Sequence, residues 1–407
     1  MENEDRYMFK KILKSYDYSL IISILLLCAF GLIMIYSSSI AWAVQRYNVE
    51  SDYFYQKQKI WLMMFGGIFL ITALIPYKIM KFKRVLVLIV LGSILLLGGL
   101  FVFGDVAGGA QSWYAFGSFK FQPSEFVKIA VIIYLAAVYA KKQAYINQFN
   151  KGVLPPLAYL FVVCFLIILQ PDYGTASIIA FISATIIFCS GMNYKTISKL
   201  VMIALVILIP VMIAMKGEIF SKERMNRFSV LDNPFADAQD EGYHLVNSYI
   251  AIGSGGVNGL GLGQSVQKLG YLPESHTDFI MAVIAEELGI WGVGFVILLL
   301  AYIVLRGIYI GLQCKDPFGS LLAIGISSMI GIQAFINLAG VSGTIPLTGV
   351  PLPFISYGGS SLLSLAAATG ILVNVSMFTK FERKYKHQEE QTDKRTYSQD
   401  GKVLYIK

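Results

Sequence analysis

Long apolar runs, cut by short clusters of polar and charged residues, set the plan of this chain. No Lys, Arg, Asp or Glu occurs between Asp17 and Arg46, Arg84 and Asp105, Lys151 and Asp172, or Asp172 and Lys195. Each interval is about the 20 residues that a helix needs to cross a bilayer. The interval from Asp316 to Lys380 has room for two crossings. The runs predict about ten transmembrane helices, beginning near Tyr18, Lys59, Val85, Glu125, Leu154, Tyr173, Ile197, Phe279, Phe318 and Ser356. The expected fold class is an all-α polytopic membrane protein. Residues 1–17 precede the first span, 18–380 form the membrane domain, and 381–407 are polar enough to be mostly disordered. One connection stands apart: residues 216–278, between the seventh and eighth spans, are far longer than the few residues usual for a loop.

Composition agrees and adds an orientation. Hydrophobic residues make up 56% of the chain and charged ones 14%, against roughly a quarter charged in soluble domains. With an even number of spans both termini share a side. That side collects Arg6, Lys10, Lys11 and Lys14 at the start, Lys380, Arg383, Lys384 and Lys386 at the end, and Lys78, Lys81, Lys83, Arg84, Lys141, Lys142, Lys151, Lys195, Lys199, Arg306 and Lys315 between them. By the positive-inside rule it is the cytoplasmic side, which makes 216–278 a large extracellular loop in a multi-pass cell-membrane protein. The net charge of +8 then expresses topology and attraction to anionic lipid, not nucleic-acid binding. The first apolar run is too long for a signal-peptide core and reads as an uncleaved anchor. Four scattered cysteines suggest neither a disulfide framework nor a metal site.

Soluble-enzyme signatures are missing: the sequence holds no H-E-x-x-H, no G-x-S-x-G and only three histidines. Any chemistry would use carboxylates, cations and backbone at the outer face. Within the long loop, "YHLVNSYIAI" places Tyr243, Val246 and Ile250 on one face of an interfacial helix, and six glycines follow within 253–263. "QPSEFVK" (122–128) and "QPDYGT" (170–175) both set Gln-Pro before an apolar run, which suits a helix start. Glu125 and Lys128, spaced i, i+3, would share a face inside the fourth span, as a structural ion pair or as substrate contacts. "GTIPLTGVPLPFISYGGSSLL" (343–363) cannot be a plain helix. At membrane depth such backbone lines a cavity or is buried in protein. In "LPESHTDFI" (272–280), Ser275 and Asp278 match a capping pattern, and an exposed cap would hold the carboxyl low. A general base needs burial or a nearby carboxylate such as Glu274 to raise it.

"QPSEFVK", "QPDYGT", "LPESHTDFI" with "AEELG" at 285–289, and "PLPFISYGGSSLL", in that order along the chain, resemble the shape, elongation, division and sporulation (SEDS) family over about Asp17 to Phe381. The first span and "GVPLPFISYGGSSLL" look more like its division branch than its elongation branch. The resemblance implies a peptidoglycan glycosyltransferase that polymerises lipid II by inverting transfer, releasing undecaprenyl pyrophosphate. It also implies a class B penicillin-binding protein and other division proteins as partners, and a place at the division septum. Asp278 matches the family's essential aspartate and is the candidate catalytic base. Gln122, Ser124, Glu125, Lys128, Arg224, Arg227, Lys268, His276, Ser356, Tyr357 and Gly358 are the candidate contacts for lipid II and the nascent glycan strand. No cofactor is certain; a divalent cation could accompany the pyrophosphate. Glu286 and Glu287 lie too deep to be the same base, and a buried hydrogen-bonding role is favoured for at least one. Gln111 and Ser112 stand where members often carry basic residues, and His244 and Asn247 where glutamines are expected. A lipid II flippase would share the spans and cavity, an elongation or sporulation paralogue would share the chemistry, and a pure scaffold would leave Glu125 and Asp278 without purpose.

Overall fold

The computed structural model describes residues 10–107, 109–117, 119–146, 148–214, 230–231, 233–237 and 242–386. Its helices are α1 (Tyr18–Gln45), α2 (Tyr53–Leu74), α3 (Lys83–Phe103), α4 (Pro123–Lys141), α5 (Leu154–Ile168), α6 (Tyr173–Cys189), α7 (Tyr194–Ala214), α8 (Tyr243–Gly255), α9 (Ile280–Gln313), α10 (Pro317–Val341) and α11 (Gly359–Phe381). All except α8 begin near an expected span start, within three residues in every case but α2, which begins at Tyr53 where Lys59 is expected. Among the described residues seven of them, α1 to α4 and α9 to α11, are long and apolar enough to cross a membrane, while α5 and α6 are shorter apolar helices.

Local chemistry sets several of the starts. Pro123 and Pro317 open α4 and α10, where a missing N–H costs nothing. The Asp172 carboxylate accepts from the Thr175 N–H at 3.0 Å and caps α6. Burial then sorts the helices by role. Most of α4, α10 and α11 is enclosed, and α11 packs along α2 while α9 packs along α10. On α3 the opposite holds: Leu88, Leu91, Leu95 and Val102 form an exposed apolar stripe, as expected of a helix that faces lipid.

Polar pairs fix which helix ends meet. Arg306 Nη2 lies 2.7 Å and Lys380 Nζ 3.4 Å from Asp17 Oδ2, joining the start of α1 to the later part of α9 and the end of α11. Lys78 pairs with Glu382 at 2.9 Å at the same end. The other end carries the irregular segments. There, between α3 and α4, a three-stranded antiparallel sheet departs from the all-α expectation: β1 (Asp105–Ala107), β2 (Ala110–Phe116) and β3 (Phe119–Phe121). Gly109 and Gly117 turn the chain at φ 79° and 63°. β1 and β3, of three residues each, are too short to announce themselves by alternation, and the seven residues of β2 do not alternate cleanly in burial.

α8 forms where the apolar periodicity puts it, but its buried face is shifted from the expected one. Leu245, Val246, Asn247, Ser248 and Ala251 are enclosed and Tyr243 is half-buried, so of the three expected residues only Ile250 is exposed, and the buried face is turned toward Leu245 and Ser248. The helix lies on α9 and not only on lipid: a Cβ on Gly255 would stand 1.9 Å from the Ala285 carbonyl oxygen, so only glycine permits the contact.

Candidate functional site

Residues 272–279 reach the site end of α9 in a tight turn. Thr277 and Phe279 both donate their N–H to the Glu274 carbonyl, at 3.1 and 3.2 Å, and Glu274 itself takes φ 52°, an uncommon conformation for a residue with a Cβ. The helix begins one residue after Phe279, which makes no side-chain cap. Ser275 is buried and donates to the Ser38 carbonyl at 3.1 Å, so the capping pattern of the sequence is not realised.

Asp278 instead faces a cavity of about 430 Å³, whose lining includes Glu274, His244, Phe279, Thr348 and Gly349. Burial, reinforced by the Glu274 charge, pushes the Asp278 carboxyl up to about 7. Gly349, at φ 69°, lets the chain pass beside it; a Cβ there would be 3.7 Å from Asp278 Oδ2. The Asn337 side chain of α10 donates to the carbonyls of Asp278 and Val350, each at 2.9 Å, and so ties the turn to the Gly349 segment.

The 343–358 segment lies against this turn. Ser356 donates to the Thr277 carbonyl at 2.6 Å and accepts from the Leu352 N–H at 2.8 Å, and Tyr357 N–H donates to the His276 carbonyl at 2.9 Å. His276 is enclosed by Phe54 and Tyr357, with ring centroids 4.4 and 5.7 Å away. Burial pulls the imidazole down to about 4 against the opposing pull of Glu274, so the ring is neutral at physiological pH. Ser356, Tyr357 and His276 therefore meet, and they shape the turn that carries Asp278.

The two Gln-Pro segments also converge. Lys128 Nζ is 2.8 Å from Glu125 Oε1, both side chains are buried, and Ser364 of α11 donates to Glu125 Oε2 at 3.1 Å. Gln122 Nε2 reaches Asp172 Oδ2 at 3.4 Å, and the Gln122 N–H donates to Ser360 Oγ at 3.0 Å. Burial raises the Asp172 carboxyl despite its capping bond to Thr175. Ser124 Oγ is enclosed without a hydrogen-bond partner. A Cβ on Gly174 would be 3.1 Å from the Thr348 carbonyl, so this cluster and the Asp278 cavity share the 346–350 segment as a wall. Gly358 precedes α11 with φ 176°, extended backbone that any residue adopts.

Lys268 sits elsewhere. Its ammonium lies 2.5 Å from Glu287 Oε1 and donates to Ser37 Oγ at 2.9 Å, and Ser37 itself bonds both Glu287 oxygens. Glu286 accepts from the Val266 N–H at 2.9 Å and from the Ser265 hydroxyl. Both glutamates are thus buried hydrogen-bonding groups, and Lys268 is neutralised inside the fold. Arg224 and Arg227 lie outside the described residues. Among the described residues no group of three or more His, Cys, Asp or Glu could hold a metal by itself. Glu274 and Asp278 are two carboxylates beside one cavity. Asn337, Ser364 and Ser37 were not singled out from the sequence. For Asn337 the signal was there, an amide in a span with no other strongly polar group nearby except Gln333.

A buried carboxyl with raised proton affinity, over a cavity walled by a proline- and glycine-rich break, is what the ordered motifs anticipate. The family model described as a cell cycle protein, FtsW/RodA/SpoVE, matches residues 18–381. The chain belongs to this family. Among its relatives, the FtsW/RodA/SpoVE protein of Bacillus subtilis named probable peptidoglycan glycosyltransferase FtsW is 56% identical over 94% of this chain and 96% of its own length. The stage V sporulation protein E of the same organism is 38% identical over 90% of this chain and 98% of its own length. Two solved structures share the fold. A chain from a peptidoglycan synthase complex that coordinates polymerization and crosslinking superposes with TM-score 0.70 at 23% identity, covering 89% of this chain and 98% of that one. The rod shape determining protein RodA of Thermus thermophilus superposes with TM-score 0.60 at 26% identity, covering 89% and 96%. This chain is therefore a multi-pass membrane protein of the FtsW/RodA/SpoVE family.

Proposed function

We propose that this chain is a peptidoglycan glycosyltransferase that polymerises lipid II into glycan strands during septal wall synthesis. The observation that carries the reading is the Asp278 carboxyl, buried at a cavity and raised to about 7, in a chain 56% identical to a relative named for this activity. An inverting transfer needs one group to accept the proton of the attacking 4-hydroxyl. A carboxylate near its midpoint at neutral pH is suited to that, and such a base typically supplies about 10²–10⁴-fold. Asp278 takes the proton as the sugar oxygen attacks the anomeric carbon and the bond to pyrophosphate breaks.

The departing pyrophosphate calls for positive charge. Lys128, near the shared wall, would serve by exchanging its Glu125 partner for the pyrophosphate, with Asp172 and Gln122 beside it; Arg224 and Arg227 of the long loop complete the assignment. A divalent cation, where one is used, would accompany the pyrophosphate and leave Asp278 free to take the proton. Lys268 has its charge spent on Glu287, so it acts through the fold. The termini lie on the cytoplasmic side, and the reacting end faces outward, toward the wall. A class B penicillin-binding protein is the partner that crosslinks the product, a reading supported by the synthase complex among the structural neighbours.

Purified protein with its partner should convert lipid II to polymer in detergent, where there is no membrane to flip across. Asp278→Asn should abolish product and leave folding intact. Full polymerisation by that variant would refute the assignment of the base. Translocation in liposomes without polymer would replace the enzyme by a flippase.

A further inference from the structure

A second cavity lies at the opposite end of the molecule from Asp278. About 880 Å³ in volume, it opens between α3 and α4 at the end where Asp17 meets Arg306 and Lys380 and Lys78 meets Glu382. Its walls are apolar: Leu86, Val87, Val90 and Leu91 from α3 face Ala137 and Val138 from α4. From Phe82 to Leu91 the groove follows nine residues, roughly 13 Å at about 1.5 Å per residue. That is close to one leaflet of a hydrocarbon core about 30 Å thick.

The mouth is as basic as the walls are apolar. Lys81, Lys83, Lys141 and Lys142 stand around it, and the only carboxylate in the lining is that of Asp316. Asp316 is already engaged: it accepts from the Tyr77 hydroxyl at 3.0 Å and from the Phe318 N–H at 3.4 Å. Among the described residues Lys81, Lys83 and Lys141 make no ion pair. Three cations without a counter-ion among the described residues, ringed around the polar end of an apolar slot one leaflet deep, match the shape and charge of a single phospholipid.

The geometry points to a binding site for an anionic phospholipid of the leaflet on the side of the termini, its phosphate between the α2–α3 turn and the end of α4 and one acyl chain along Leu86, Val87 and Leu91. The site is separate from the reacting cavity and independent of the proposed activity. Because α4 also carries Glu125 and Lys128, a lipid wedged against α3 would brace the helix that positions them.

The test is retention of lipid by the purified full-length protein, read by native mass spectrometry after titration with phosphatidylglycerol or phosphatidylcholine. Wild type should hold one phosphatidylglycerol in preference to phosphatidylcholine. Lys81→Gln/Lys83→Gln/Lys141→Gln should lose that preference at about fivefold per lysine, the equivalent of roughly 1 kcal/mol for each cation near an anionic surface. Val87→Trp, at a half-exposed position, should displace the acyl chain with all lysines in place. A control with the same charge loss at the same end, Lys10→Gln/Lys195→Gln/Lys199→Gln, should keep the bound lipid. Equal retention of both lipids by wild type, unchanged binding in the triple variant, or equal loss in the control would each overturn the site.

Discussion

At the scale of single residues, Asp278 makes the sharpest prediction, because its surroundings and its proposed work set the same quantity. A base must be ionised, and this carboxyl ionises only as pH rises through about 7. Initial rates of lipid II polymerisation should therefore climb through that range and level off above it. Glu274→Gln removes the smaller of the two raising effects, so the limb should shift to lower pH with the plateau retained; an unmoved limb would deny Glu274 its influence. Stability carries the opposite sign. The fold holds the proton that the unfolded chain releases near 3.8, so this group's contribution declines between about 3.8 and about 7. Asp278→Asn should then unfold at a slightly higher temperature than wild type at pH 8, which separates lost catalysis from lost folding. Glu125 and Lys128 need a paired test. Lys128→Met strands a buried carboxylate, and breaking such a pair costs about 3–5 kcal/mol. The double variant Glu125→Gln/Lys128→Met should recover most of that in thermal unfolding. If it is stable yet polymerises lipid II poorly, the pair serves the substrate; if stable and active, it serves the fold.

At the scale of elements, α9 shows what the sequence did and did not disclose. The helix breaks at Gly289, where φ is 61°, and the break leaves carbonyls that membrane-depth backbone must satisfy. The glycine run supplies the donors: Leu260 and Gly261 give their N–H to the Glu286 and Glu287 carbonyls at 2.9 Å, and Ile290 N–H returns a bond to Val257 at 3.2 Å. A Cβ on Gly259 would stand 2.2 Å from the Glu287 carbonyl oxygen, at φ 74°. Gly259→Ala should therefore cost about 1–3 kcal/mol in thermal unfolding. Gly253→Ala, inside α8 with open space around it, should be neutral or stabilising by about 0.5–1 kcal/mol. Equal effects of the two would mean that the run is only flexible. Six clustered glycines were visible in the sequence, but their purpose was not, since it depends on carbonyls some thirty residues downstream. The same limit explains the face of α8, chosen by Gly255 against α9. It also explains Ser275, which matched a capping pattern and spends its hydroxyl on Ser38. Helix starts were legible because proline, aspartate and the charge-free runs act within a few residues; pairings across elements were not.

At the scale of the molecule, the two ends are built on different electrostatic terms, and this yields a comparative prediction. One end is closed by Asp17, Arg306 and Lys380, the other by enclosed groups such as Glu287 with Lys268. Burial pushes the Asp17 carboxyl up, but hydrogen bonds from Ser19 and Arg306 and the charge of Lys380 outweigh it and hold it below the usual range. Its contribution is therefore present above about 3.8 and lost as pH falls below that value. Asp17→Asn removes the charge that draws α1, α9 and α11 together, yet the Arg306 side chain is 28% exposed and can turn to water. The cost should be about 1–3 kcal/mol, as for a hydrogen bond to a charged group. Glu287→Gln has no such outlet. The glutamate side chain is fully enclosed and that of Lys268 is 7% exposed, so the ammonium is left without a counter-charge, and about 3–5 kcal/mol is expected. Thermal unfolding of both variants at neutral pH should rank Glu287→Gln as the more damaging by a clear margin. Salt adds an independent check, because a pair reached by solvent is screened and an enclosed one is much less so. Raising ionic strength should shrink the Asp17→Asn deficit and leave that of Glu287→Gln nearly unchanged. If the order were reversed, the helix junction around Asp17 would be the dry one, and the end that carries Asp278 would be the more yielding half of the molecule.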